Sequence, residues 1–189
     1  RLQAETFTRL VQGQIAETRG PETGEVALEH YLQVIADKTG SLIAASALFG
    51  AMIAGAPQTI REALAAYGEE VGLVFQLSDD IIDITSDVTG KTPGTDLREG
   101  VPTLPTLLLE ASSNPADQPL KDLLAGDLSD DAALAEALAA LRAHPVVEKA
   151  RAEVRRHADL ARQHLAPLPE GEAKQLLLQV CDDLAERST

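Results

Sequence analysis

Hydrophobic positions recur at helical spacing from the start of the chain. Apolar side chains near the i, i+3, i+4 pattern predict an opening helix, at Leu2, Phe7, Leu10, Val11 and Ile15. The periodicity begins at the first residue, and there is no initiator Met. We therefore expect the chain to be part of a longer protein.

Turn signals divide the remainder into further helices. The pairs Gly20-Pro21 and Thr23-Gly24 predict a turn after the opening helix. Further helices are expected at about residues 25–54, 57–85 and 102–111. In the C-terminal part, one helix is expected from Asp130 to His144, a second from there to about Ala166, and a last one that ends near Arg187. The segment 87–100 contains three glycines and a proline and is predicted to be a loop.

The pattern predicts one all-α domain over residues 1–189. No strand-like alternation persists, and hydrophobic residues make up 44% of the chain but aromatic residues only 3%. Apolar content of this kind, mostly Ala, Leu, Val and Ile, favours tightly packed helices over a β-sandwich.

Composition also narrows the function classes. Thirty acidic against sixteen basic residues give a net charge of −14, which disfavours binding to nucleic acid or anionic lipid. The longest apolar stretch, Ser41 to Ala56, is shorter than the roughly 20 residues of a membrane span and is predicted to be a buried core helix. The single cysteine, Cys181, favours a cytoplasmic location.

The most informative segment is FQLSDDIIDITSD, from Phe75 to Asp87. On a helix, Asp79 and Asp83 share a face about 6 Å apart along the axis, whereas Asp80 is rotated by about 100°. Two carboxylates at that distance repel by roughly 2–3 kcal/mol at an effective dielectric constant near 20. A bound cation would reverse the sign of this interaction.

Carboxylate oxygens without His or Cys nearby point to a hard cation such as Mg²⁺, which also takes water and phosphate oxygens as ligands. The Gly-rich loop that follows has Lys91 and Arg98, which could bind a phosphate together with backbone N–H groups. Upstream, Lys38 and Thr39 interrupt an apolar run, and a buried lysine is costly without an anion. The three segments together predict a metal-bridged diphosphate site.

These motifs resemble the trans-type polyprenyl diphosphate synthases, the polyprenyl synthetase family. FQLSDDIID and then GK..G.DL..G..TLP, ending at Pro105, are similar to the family's second aspartate-rich region, and Lys38-Thr39 is similar to its upstream Lys-Thr pair. RLVQGQIAE, from Arg9 to Glu17, resembles the helix that precedes that pair.

The resemblance implies an isoprenoid-synthase helical bundle, here its C-terminal part without the N-terminal helices, and a cytoplasmic homodimer. It implies a Mg²⁺-dependent prenyltransferase that condenses isopentenyl diphosphate with an allylic diphosphate. The implied roles are metal binding by Asp79, Asp80 and Asp83, contact with the allylic substrate by Lys38, Thr39, Gln76 and Lys91, and catalysis by Lys38, Asp79 and Lys91.

Two departures from the family pattern leave alternatives open. Val101 stands where the family usually has a lysine, and no first aspartate-rich motif precedes Lys38. We therefore expect these 189 residues alone to be inactive. The alternatives are a non-catalytic subunit of a heteromeric prenyl synthase, or a helical interaction protein with incidental aspartate pairs.

Overall fold

The computed structural model describes residues 1–85 and 93–187 and consists of helices joined by short connections. The described residues contain no strand, so the all-α prediction is confirmed. The α-helices are α1 (Leu2–Arg19), α2 (Ala27–Ile35), α3 (Ser41–Ile53), α4 (Gln58–Thr85), α5 (Thr95–Glu99), α6 (Leu104–Glu110), α7 (Gln118–Leu124), α8 (Asp131–Ala143), α9 (Val146–His164) and α10 (Glu172–Glu186).

The chain divides into two compact units. The first comprises Arg1–Gln76 and Val154–Arg187, and the second comprises Leu77–Glu153. The long helix α4 and helix α9 each contribute residues to both units.

In the first unit, α2 and α3 form a continuous helix that is interrupted by a π-helical turn, Ala36–Gly40. The sequence predicted a helix over about residues 25–54, but a π-helical turn has no simple sequence signal. Turns of this kind are frequent at functional sites. The π-turn contains both Lys38 and Thr39.

The apolar stretch in α3, which was predicted to be a buried core helix, is buried along one side only. Ala44, Ala45 and Ala51 are buried, whereas Met52 and Ile53 are exposed. Among the described residues, one segment, Ala27–Ile53, is long and apolar enough to cross a membrane, and 39% of its most apolar window is buried. Length and composition are weak evidence for a span, because core helices of soluble proteins meet the same criteria.

In the second unit, two elements were missed by the sequence analysis. Helix α5 lies inside the predicted loop, and α7 begins directly after a short 3₁₀ turn at Pro115–Asp117. Both helices are short, five and seven residues, and neither has a long apolar repeat. The bounds predicted for the longer helices agree with the structure to within a few residues.

The core of the first unit includes a contact between α4 and α10. The Tyr67 hydroxyl donates to the Leu177 carbonyl at 2.9 Å, and the Cys181 thiol donates to the same carbonyl at 3.5 Å. Cys181 is 1% exposed. Burial raises the pKa of both Tyr67 and Cys181.

We expect Cys181 to react slowly with iodoacetamide in the folded protein, because the thiolate is the reactive species and burial disfavours it. At pH 8, labelling should be at least about tenfold slower than in urea-unfolded protein. The rate is measured by mass spectrometry of the tryptic peptide 175–187. Equal rates in the folded and unfolded protein would contradict the packing of α10 against α4.

Candidate active site

Three acids of the predicted metal motif lie in the second unit, on the last two turns of α4. Asp79 and Asp83 are half-buried and one helical turn apart, as predicted, whereas Asp80 is only 4% exposed. The three carboxylates therefore have different surroundings despite their closeness in sequence.

Asp80 connects α4 to the start of α6. Its Oδ2 atom accepts a hydrogen bond from the Leu104 backbone N–H at 2.8 Å, and this contact is buried. The Leu104 side chain is 1% exposed, and the Thr106 hydroxyl accepts from the Thr103 N–H at 3.0 Å. The Thr-Leu-Pro segment is thus held in place by an aspartate of the acidic motif.

Asp83 organises the chain that returns from the loop. Its Oδ2 atom accepts from the Asp96 N–H at 3.3 Å, and its carbonyl accepts from the Gly94 N–H at 2.9 Å. The Arg142 side chain donates to the neighbouring carbonyl of Ile84 at 2.6 Å. The end of α4 is therefore fixed against the segments that follow it.

The acids do not form a complete metal cage by themselves. Within residues 1–85 and 93–187, no three His, Cys, Asp or Glu side chains are grouped closely enough to hold a metal ion. Mg²⁺ commonly binds through one or two carboxylates and fills its other positions with water and substrate phosphates. Asp79 and Asp83 fit a site of that kind, in which phosphate oxygens complete the coordination.

Lys38 and Thr39 lie in the first unit, on the π-turn. The Lys38 ammonium donates to Glu17 Oε2 on α1 at 2.5 Å, and its side chain is 30% exposed. Lys38 is thus half-buried and already has an anionic partner within the chain. Thr39 is half-buried as well.

A second ionic cluster surrounds the π-turn, and the sequence analysis did not identify it. Arg9 on α1 donates from Nε to Asp37 Oδ1 at 3.0 Å and from Nη2 to Glu69 Oε2 at 3.2 Å. Gln33 donates to the other Asp37 oxygen at 2.9 Å. The hydrogen bonds from Arg9, first to Glu69 and then to Asp37, raise the pKa of its guanidinium.

Glycines allow the helices around the π-turn to approach closely. A Cβ atom at Gly13 on α1 would lie 2.9 Å from the Asp37 Cβ atom and 3.0 Å from the Lys38 Cγ atom. A Cβ atom at Gly72 on α4 would lie 2.4 Å from the Gly40 Cα atom, so only glycine fits there. The π-turn is therefore packed between α1 and α4.

The other residues singled out in the sequence lie in different surroundings. Gln76 is half-buried on α4, at the end of the first unit's part of that helix. Lys91 lies outside the described residues. An Asp-Asp-x-x-Glu sequence near the C-terminus, Asp182 to Glu186, repeats the spacing of the acidic motif. Its Asp182 is half-buried and pairs with Arg162, whereas Asp183 is exposed and accepts a hydrogen bond from Gln179 at 2.6 Å.

Comparison with known proteins places these motifs in a family context. Residues 1–141 match the family model described as polyprenyl synthetase. The chain is 44% identical to nonaprenyl diphosphate synthase of Mycobacterium tuberculosis, over 99% of this chain and 56% of that protein. It is 40% identical to a dimethylallyltranstransferase of the same organism, over 95% of this chain and 54% of the relative. The chain thus spans about half the length of these relatives.

The fold is also similar to solved structures. A geranylgeranyl pyrophosphate synthase from Corynebacterium glutamicum, crystallised with calcium and isoprenyl diphosphate, superposes with a TM-score of 0.92 at 42% identity. The match covers 99% of this chain and 59% of that chain. The predicted isoprenoid-synthase fold is therefore confirmed.

We expect Asp80→Ala to destabilise the fold by about 1–3 kcal/mol, because it leaves the buried Leu104 N–H without its acceptor. Urea denaturation measures the change in the free energy of unfolding. The matched variant Asp79→Ala, one position earlier on the same helix and half-buried, should lose less stability. Equal losses in the free energy of unfolding for the two variants would contradict the structural role of the Asp80 hydrogen bond to Leu104.

Proposed function

Because the chain belongs to the polyprenyl synthetase family, we propose that the protein it comes from joins isopentenyl diphosphate to an allylic diphosphate. The product is a trans-polyprenyl diphosphate five carbons longer. The observation that carries this proposal is the acidic motif of α4 at its family spacing, with Asp80 bonded to the Thr-Leu-Pro segment. The 189 residues would supply one part of the catalytic domain.

We propose that Asp79 is the main ligand of Mg²⁺, with Asp83 and Asp80 as ligands or as acceptors for metal-bound water. A divalent ion supplies charge neutralisation for a diphosphate leaving group. The calcium in the Corynebacterium structure belongs to that protein, and it supports the use of a divalent ion in the family. This assignment follows the resemblance to the family's second aspartate-rich region, in which Asp79 holds the first position of the Asp-Asp-x-x-Asp spacing.

The cations and polar groups of the motif have a common task. Lys38 and Lys91 would neutralise oxygens of the allylic diphosphate, while Thr39 and Gln76 would orient the allylic substrate. The positive charge of the two lysines would stabilise the electron pair that leaves with the diphosphate when the allylic C–O bond breaks. The isopentenyl double bond then attacks the allylic carbocation, and loss of a proton restores a double bond.

A homodimer in the cytoplasm is the proposed working form. Exposed apolar side chains on one face of α1, Phe7 and Ile15, support association, since they lie eight residues apart at helical spacing. Phe7 is 66% exposed and Ile15 is 61% exposed. Large apolar side chains in such a row favour contact with another surface.

We expect Asp79→Ala in the full-length protein to lower turnover by at least about a hundredfold, because it removes the main metal ligand. The variant should keep the wild-type helical circular dichroism. Turnover is measured from radiolabelled isopentenyl diphosphate with an allylic diphosphate and Mg²⁺. Asp183→Ala serves as the control, because this exposed aspartate lies on α10 in an Asp-Asp-x-x-Glu sequence with the same spacing as the α4 motif.

Near-normal activity of Asp79→Ala would contradict the proposed metal site. A loss of the same size in Asp183→Ala would show that the assay reports general damage. A wild-type protein without any prenyl transfer would contradict the proposed reaction itself.

We expect the double change Phe7→Ser and Ile15→Ser to convert the dimer to a monomer, because it removes apolar contact area from α1. Light scattering after gel filtration measures the mass. Leu176→Ser, which changes a similarly exposed leucine on α10, should leave the mass unchanged. A wild-type protein that is monomeric, or a double variant that stays dimeric, would contradict this use of the α1 face.

A further inference from the structure

Three residues form a single line on α1 that faces the π-turn. Arg9, Gly13 and Glu17 are spaced by four residues, so they lie on one face of the helix. Arg9 binds Asp37, Gly13 packs against Asp37 and Lys38, and Glu17 binds Lys38. We call these three residues the α1 stripe.

The α1 stripe matches the charges of the π-turn in order. Its positive end meets the anion at position 37, and its negative end meets the cation at position 38. The glycine between them brings the two backbones close enough for both contacts. Two neighbouring residues of opposite charge are thereby held by one helix face.

Arg9 binds two acids that lie close to the π-turn. Its guanidinium binds Asp37, the direct neighbour of Lys38, and also both carboxylate oxygens of Glu69. Gln33 donates to the second oxygen of Asp37. With Asp37 engaged from two sides, Glu17 is the acid that holds the Lys38 ammonium.

Glu17 then stands in direct competition with any anion that Lys38 binds. The Lys38–Glu17 pair is partly open to solvent, and partly exposed pairs of this kind are weak enough to exchange. An incoming diphosphate must displace the Glu17 carboxylate or share the ammonium with it. The carboxylate also repels the diphosphate at short range.

We propose that the α1 stripe sets the affinity of Lys38 for the diphosphate of the allylic substrate. Arg9 is a positioning residue that keeps Asp37 away from Lys38, and Glu17 is an internal anion that the substrate displaces. The two residues therefore act in opposite directions, Arg9 strengthening diphosphate binding and Glu17 weakening it. This inference rests on the proposed role of Lys38 in binding the allylic diphosphate.

The test compares Glu17→Gln and Arg9→Ala in the full-length protein. Glu17→Gln should lower the KM for the allylic diphosphate by about two- to fivefold, because a weak ion pair no longer competes. Arg9→Ala should raise this KM by about tenfold, because Asp37 becomes a second competitor. The KM for isopentenyl diphosphate should stay within about twofold in both variants. Calorimetric titration with inorganic diphosphate and Mg²⁺ should show the same two directions in Kd.

The Lys38→Ala background separates this inference from the proposed function. Once Lys38 is removed, Glu17→Gln and Arg9→Ala should each lose most of their effect on the KM, because both act through the ammonium. If Lys38→Ala alone changes neither KM nor diphosphate binding, the proposed role of Lys38 is wrong. If Lys38→Ala weakens binding but Glu17→Gln does not strengthen it, only the α1 stripe inference is overturned.

Arg162→Ala is the matched control for loss of an arginine. Arg162 also lies in the first unit, is about as exposed as Arg9, and binds two carboxylates, Asp159 and Asp182. It should leave both KM values unchanged. If Arg9→Ala does not fold, Arg9→Lys takes its place and should raise the allylic KM by a smaller factor. A shift in the same direction for the Arg9 and Glu17 variants would overturn the proposal.

Discussion

The backbones of Gly40 and Gly72 are in direct contact in the first unit, with no room for a side chain between them. This contact fixes the π-turn against α4. Gly13, which has no side chain, allows α1 to pack closely against Asp37 and Lys38 of the same turn. The ionic cluster of Arg9 and Glu69 depends on that spacing, because its hydrogen bonds connect α1 to α4 at the same level. A local property of three glycines therefore determines where the Lys38 ammonium stands.

Two acidic residues of the α4 motif have a structural role. Asp80 and Asp83 accept backbone N–H groups and so organise the segments that follow α4. This use explains why an acidic motif so rich in mutual repulsion is compatible with a stable helix: a carboxylate that accepts an N–H group is partly compensated. The net charge of −14 therefore includes acids with structural partners.

The long helices and the acidic motif could be predicted from the sequence, because apolar periodicity and residue spacing are local properties. Helix α5 and the π-turn could not, since the five residues of each depend on contacts with distant segments. The partner of Lys38 was equally hidden, because Glu17 is 21 residues away. The four-residue spacing of Arg9, Gly13 and Glu17 was a visible signal, but its meaning required knowing what that face touches.

The Lys38–Glu17 pair also affects which anions can reach the ammonium. A singly or doubly charged ion such as inorganic phosphate gains little from replacing a carboxylate that is already in contact. A polyphosphate that arrives with its own metal ion makes additional contacts, and so it can offset the loss of that carboxylate. In the proposed site, Glu17 would thus disfavour binding of the abundant small anions of a cell relative to a metal-bound diphosphate.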